Sequence, residues 1–223
     1  IIAIFIWLAF PHIDAHEVQH KKIILRKRYW LFYSLTFMGG ARRQIFVVFA
    51  GFLLVTKFDY SVENISGLLL INYIVTSWFA PKLGTIIIKW GERNALIFEY
   101  IGLIFVFLGY ALTQDVQVAT ALYVVDHLFF SFAIAQKSYL QKIADVQDIA
   151  STSSVSFSIN HIAAVVIPLL FGVYLWPISP SLVFYVGAGM AFVSLVLSLN
   201  VPRHPEPGNE VTWGRIAAPQ AAE

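Results

Sequence analysis

Eight polar side chains interrupt sequence that is otherwise almost continuously apolar: Arg42, Arg43, Asn72, Asp126, His127, Lys137, Asn160 and His161. Their chemistry is that of anion binding, proton transfer and ion pairing. An arginine or aspartate at the centre of a membrane helix costs roughly 2.5–3.5 kcal/mol. Arg42, Arg43 and Asp126 together would cost on the order of 8–10 kcal/mol in lipid. They are therefore expected to face one another or a water-filled cavity. A second pattern, His16-Glu17-Val18-Gln19-His20, fits the H-E-x-x-H arrangement of zinc peptidases, with His12 one turn earlier as a third ligand. It lies in a basic segment with no apolar pocket around it and no second, aspartate-bearing motif, so a solvated linker is the simpler reading.

The elements that must position these groups follow from composition. The chain has 223 residues, of which 58% are hydrophobic and 13% charged, against about 25% charged in soluble domains. Much of its surface must therefore meet lipid. The net charge of +2 gives no reason to expect nucleic acid. The lack of cysteine excludes disulfides and thiolate metal sites. Six apolar stretches are long enough to span: 30–56, 65–88, 94–113, 116–143, 149–176 and 181–201. They are continuous rather than alternating, which predicts helices and not barrel strands. Residues 1–13 read as the end of a preceding transmembrane helix, 14–28 as a basic cytoplasmic linker, 29–201 as the bundle, and 202–223 as a disordered cytoplasmic tail.

Of 15 Lys and Arg residues, Arg42 and Arg43 lie within a span. Twelve of the others fall on one side, from Lys21 to Arg28, around Lys89 and Arg93, at Lys137 and Lys142, and in the tail; Lys57 alone falls on the other. The positive-inside rule places the richer side, with both ends of the six-span bundle, in the cytoplasm.

At 1.5 Å rise per residue the polar positions fall at about the same depth. Arg43 is expected to pair with Asp126, either as a bridge that opens during function or as a static pair, and which arginine faces inward stays open. Tyr123, Asp126, Phe130, Ala133 and Lys137 share one stripe, and Ser151, Ser154, Ser158 and His161 another. His161 reads equally as a core histidine or a proton ligand, and Lys137 as a snorkelling or cavity residue. Glu99 is expected to bond the adjacent cytoplasmic turn. Gly39-Gly40 allows close helix approach or a bend, and Gly187 with Ala191 a packing seam.

The turn Gly84-Thr85-Ile86-Ile87-Ile88-Lys89-Trp90-Gly91-Glu92-Arg93-Asn94 resembles the cytoplasmic gating signature of the major facilitator superfamily. Gly84, Lys89, Gly91 and Arg93 match, with Glu92 in the same loop, while Ile88 stands where the family usually has aspartate. The segments 37–46, 141–145 and 159–164 are similar to uncharacterised bacterial members. The resemblance covers residues 1–205 as the carboxyl-terminal half. It implies an all-α membrane protein: a six-helix bundle of two inverted three-helix repeats, forming half of a twelve-helix transporter. The cavity would lie between the halves and be lined by the first and fourth spans, with part of the second and fifth.

The reading is secondary active, proton-coupled or facilitative transport of a small solute, with the two arginines leaning toward an anion. Asp126 or His161 would carry the proton. The expected partners are that solute, protons, the bilayer of the bacterial inner membrane and an amino-terminal six-helix half; no enzyme activity, cofactor or metal is expected. The alternatives are a non-transporting scaffold subunit and, remotely, a membrane zinc metallopeptidase.

Overall fold

The computed structural model describes residues 23–214. The expected end of a preceding helix, most of the basic linker and the His16–His20 pattern lie outside the described residues. Within them, six long helices follow one another: α1 Lys27–Phe58, α2 Val62–Trp90, α3 Glu92–Leu112, α4 Val116–Ile143, α5 Val146–Leu175 and α6 Pro180–Ser198. Among the described residues there is no strand, only an isolated bridge between Glu206 and Asn209. Five of the helices are long and apolar enough to cross a membrane. The exception is α2, whose length suffices but whose apolar run is diluted by Asn64, Asn72, Pro81 and Lys82.

Short capped turns join them. Ser61 accepts a hydrogen bond from the Asn64 amide at the start of α2, and Asp115 accepts from Gln117 and Val118 at the start of α4. Between α2 and α3 the chain reverses at Gly91, whose φ of 79° is open to glycine at little cost. The glycine of the gating-like turn thus has a geometric reason to be there.

The bundle is layered. α3 packs along α6, and α1 lies against both α5 and α6. The α3–α6 seam is tight because Gly187 meets the Phe107 ring, where an added Cβ would come within 2.7 Å, and Ala191 is fully buried. α2 and α5 are the least covered. Ile71, Tyr73, Ile74 and Trp78 of α2, and Phe157, Ile162, Val165 and Leu169 of α5, are all exposed.

Three helices depart from regular winding. α1 widens into a π-helical stretch at Ile45–Ala50, one residue after Gln44, and α5 does so at Phe171–Leu175, shortly after Pro168. α4 is interrupted at Ser131 and Phe132, whose amides bond three residues back, to Leu128 and Phe129.

The segment after α6 is not the loose tail expected from its composition. Asn200 grips Trp213 twice, donating from Nδ2 to its carbonyl at 3.0 Å and accepting from its amide at 2.7 Å. Tyr139 donates to the Glu210 carbonyl, Trp30 donates to the Gly214 carbonyl, and Val201 and Val211 are buried. Two apolar anchors and an amide clamp outweigh the polar, proline-rich composition. A carboxylate and guanidinium cluster lies at the same end, where Arg26 grips Asp148 through two nitrogens and Arg28 pairs with Asp145.

Candidate functional site

α1, α2, α4 and α5 enclose a cavity of about 490 Å³, within the size range of small-molecule sites. Its shape begins with Gly39 and Gly40 of α1. At Gly40 an added Cβ would sit 2.4 Å from Asn160 Oδ1 of α5, and at Gly39 one would sit 3.7 Å from Gln136 Oε1 of α4. The paired glycines thus let two other helices approach α1, as the sequence suggested. Gln136 then donates to Thr36 Oγ1 at 2.7 Å, fastening α4 to α1 beside the cavity.

Six of the eight singled-out side chains line the cavity besides Arg42: Arg43, Asn72, His127, Lys137 and Asn160 join it on the wall, and Asp126 lies behind it, fully buried. Only His161 belongs elsewhere. It is exposed, its Nδ1 is 3.0 Å or less from the Phe157 carbonyl at 2.9 Å, and its ring lies against Phe157. The serine stripe turns away with it: Ser154 and Ser158 bond back to their own helix, while Ser156 and Asn160 face the cavity. Ser151 is buried and bonds the Ile24 backbone.

The arginines divide sharply. Arg42 is buried and pairs with Glu99 of α3 at 3.0 Å, with Ser194 of α6 at 3.4 Å and the Tyr100 ring face at 4.9 Å. Arg43 is exposed to the cavity with its guanidinium 5.8 Å from the Phe130 ring. The expected Arg43–Asp126 bridge is absent among the described residues. The charged groups facing Asp126 are Arg42 and Glu99, and neither carboxyl oxygen of Asp126 has a hydrogen-bond partner. The physical reason is rotational: successive residues point 100° apart on a helix, and α3 offers a nearer carboxylate to Arg42.

Glu99 is the residue that sequence reasoning misplaced. It was assigned to the turn, yet it is 3% exposed and forms the ion pair of the core. A signal existed, since it lies two helical turns inside an apolar span that also opens with Glu92. Glu92 itself performs the role expected of Glu99, accepting from Ser138 at 2.7 Å and pairing with Lys142 at 2.6 Å. Lys89 and Arg93 have no ion pair among the described residues, and Gly84 has open space around it.

Several buried polar atoms have no partner: both amide atoms of Asn72, Arg42 Nε and Glu99 Oε2 as well as the Asp126 carboxyl. Orphaned groups of this kind are rare in finished cores. Here they gather around one hollow. No group of three or more histidine, aspartate or glutamate side chains able to hold a metal occurs among the described residues.

Fold and site together define a helical membrane protein with a polar, ionisable centre inside an apolar bundle. No family model, curated protein or solved structure matches the chain.

Proposed function

We propose that this chain is the carboxyl-terminal six-helix bundle of a secondary transporter of the major facilitator kind, moving a small solute by alternating access. The observation that carries the reading is the cavity among α1, α2, α4 and α5 with buried Arg42, Glu99 and Asp126 around it. Ionisable groups sequestered in a membrane bundle mark solute and proton pathways more often than static struts.

The layering supports the same reading. α1 and α4 carry most of the cavity wall, α2 and α5 flank it, and α3 and α6 pack behind. Each position in the first three helices then has a counterpart in the second three, as inverted repeats require. α2 serves as the sixth span. The exposed apolar faces of α2 and α5 would meet the amino-terminal bundle. The end that holds Lys89, Arg93 and Lys142 faces the cytoplasm of a bacterial inner membrane.

Asp126 is the proton carrier in this reading. A buried carboxyl without a hydrogen bond, facing Arg42 and Glu99, with Tyr110 and Tyr123 beside it, must change ionisation in step with those neighbours. Uptake driven by an imposed pH gradient, measured in proteoliposomes containing the full polypeptide, tests it. Asp126→Asn should abolish gradient-driven accumulation while leaving the melting transition in place. Normal accumulation by that variant would remove the coupling role. Absence of any flux, with stable association to other membrane subunits, would favour a scaffold.

A further inference from the structure

Resting on the transport reading, the charge balance of the cavity wall goes further and names a class of solute. Arg42 is neutralised by Glu99, and Asp126 stands behind the wall rather than on it. The charges left facing the hollow are Arg43 and Lys137, both exposed to it and neither within ion-pair distance of a carboxylate among the described residues. Two unpaired cations inside an apolar bundle are costly unless an anion joins them. A guanidinium suits a planar carboxylate, which it can meet through two parallel hydrogen bonds. Asn72 adds a demand of its own: it is 3% exposed, lies on the wall, and both its donor and its acceptor are unsatisfied. Phe32, Tyr73 and Phe130 supply ring surface to the same hollow.

We infer that the cavity takes a small organic carboxylate with a ring or other flat apolar body. Arg43 and Lys137 hold its anionic end. Asn72 meets a hydroxyl or amide elsewhere on it. The rings of Phe32, Tyr73 and Phe130 flank the body.

Calorimetric titration of the full chain in lipid nanodiscs tests this with four probes: 4-hydroxybenzoate, benzoate, the uncharged 4-hydroxybenzamide, and glycerol 3-phosphate. The two benzoates should bind competitively, the hydroxylated one more tightly, with the amide at least tenfold weaker. Arg43→Gln and Lys137→Gln, both changes at exposed positions, should each weaken benzoate about tenfold. Asn72→Ala should erase the preference for the hydroxylated probe while leaving benzoate within about twofold. Lys82→Gln, at an exposed position where the ammonium lies over Trp78, should leave both affinities unchanged. Equal binding of the amide, tighter binding of glycerol 3-phosphate than of either benzoate, or no binding of any probe would overturn the assignment. Carboxylate binding with these dependences but no flux in proteoliposomes would sink the transport reading and leave the assignment standing. Asp126-dependent flux of an uncharged or cationic solute without carboxylate binding would do the reverse.

Discussion

Replacing Glu99 by glutamine asks the most of the buried ion pair. The carboxylate lies 3.0 Å from Arg42, and both side chains are almost fully buried, at 4% and 2% exposure. At an effective dielectric constant of about 20, two unit charges at that separation attract by about 5 kcal/mol. Removing one partner of a buried pair costs about 3–5 kcal/mol, because the other charge is left without compensation. Ser194 at 3.4 Å and the Tyr100 ring at 4.9 Å soften that loss but carry no opposite charge, so the lower part of the range, about 3 kcal/mol, is expected. Reversible unfolding in mixed micelles, followed by helical circular dichroism, measures it. The double variant Arg42→Met with Glu99→Leu should recover most of the loss, since an apolar pair of similar volume is tolerated where a lone charge is not. Arg43→Gln, whose guanidinium faces the cavity, should change stability by less than about 0.5 kcal/mol. A Glu99→Gln loss below about 1 kcal/mol, or a double variant as unstable as the single, would refute the pair as a structural element of the bundle centre.

Three further outcomes follow from packing and topology. Gly102→Ala would place a Cβ 2.0 Å from the Phe129 ring and should destabilise by about 1–3 kcal/mol through overpacking, read as a lowered midpoint in the same unfolding assay. Asn200→Ala breaks both bonds to Trp213 and should expose the chain after Val201 to limited proteolysis while the helices keep their circular dichroism. The chain has no cysteine, so single cysteines at Lys89 and Asp115 report sidedness directly. A membrane-impermeant maleimide applied to intact cells should label Asp115→Cys and spare Lys89→Cys, and the opposite pattern would invert the orientation.

Much of the architecture was legible because burial cost speaks plainly in an apolar sequence. The six helices fall within a few residues of their expected limits, and Gly39-Gly40 and Gly187 sit where helices approach. Gathering of Arg42, Arg43, Asn72, His127, Lys137 and Asn160 on one hollow was also foreseeable, since each shares its depth with the others. Pairing was not. Depth along a helix is set by residue count, but direction around it depends on tilt and on neighbours that sequence does not supply. Hence Arg42 rather than Arg43 found a carboxylate, Glu99 rather than Asp126 provided it, and His161 with Ser154 and Ser158 turned outward. The docked segment after Val201 was hidden for a different reason: its hold rests on one asparagine and two valines, too few to show in composition.

The two widened turns carry a consequence for chain length. Each accommodates a surplus residue, and one residue amounts to about 100° of rotation. Phe49 and Phe171 come within 6.4 Å from these two stretches, and Phe49 stacks on Trp176 at 5.4 Å. Deleting a single residue from either stretch would restore ordinary winding yet swing that helix's distal third out of phase with its mate. Insertions and deletions are thereby barred from a region where substitutions of one aromatic for another are permitted.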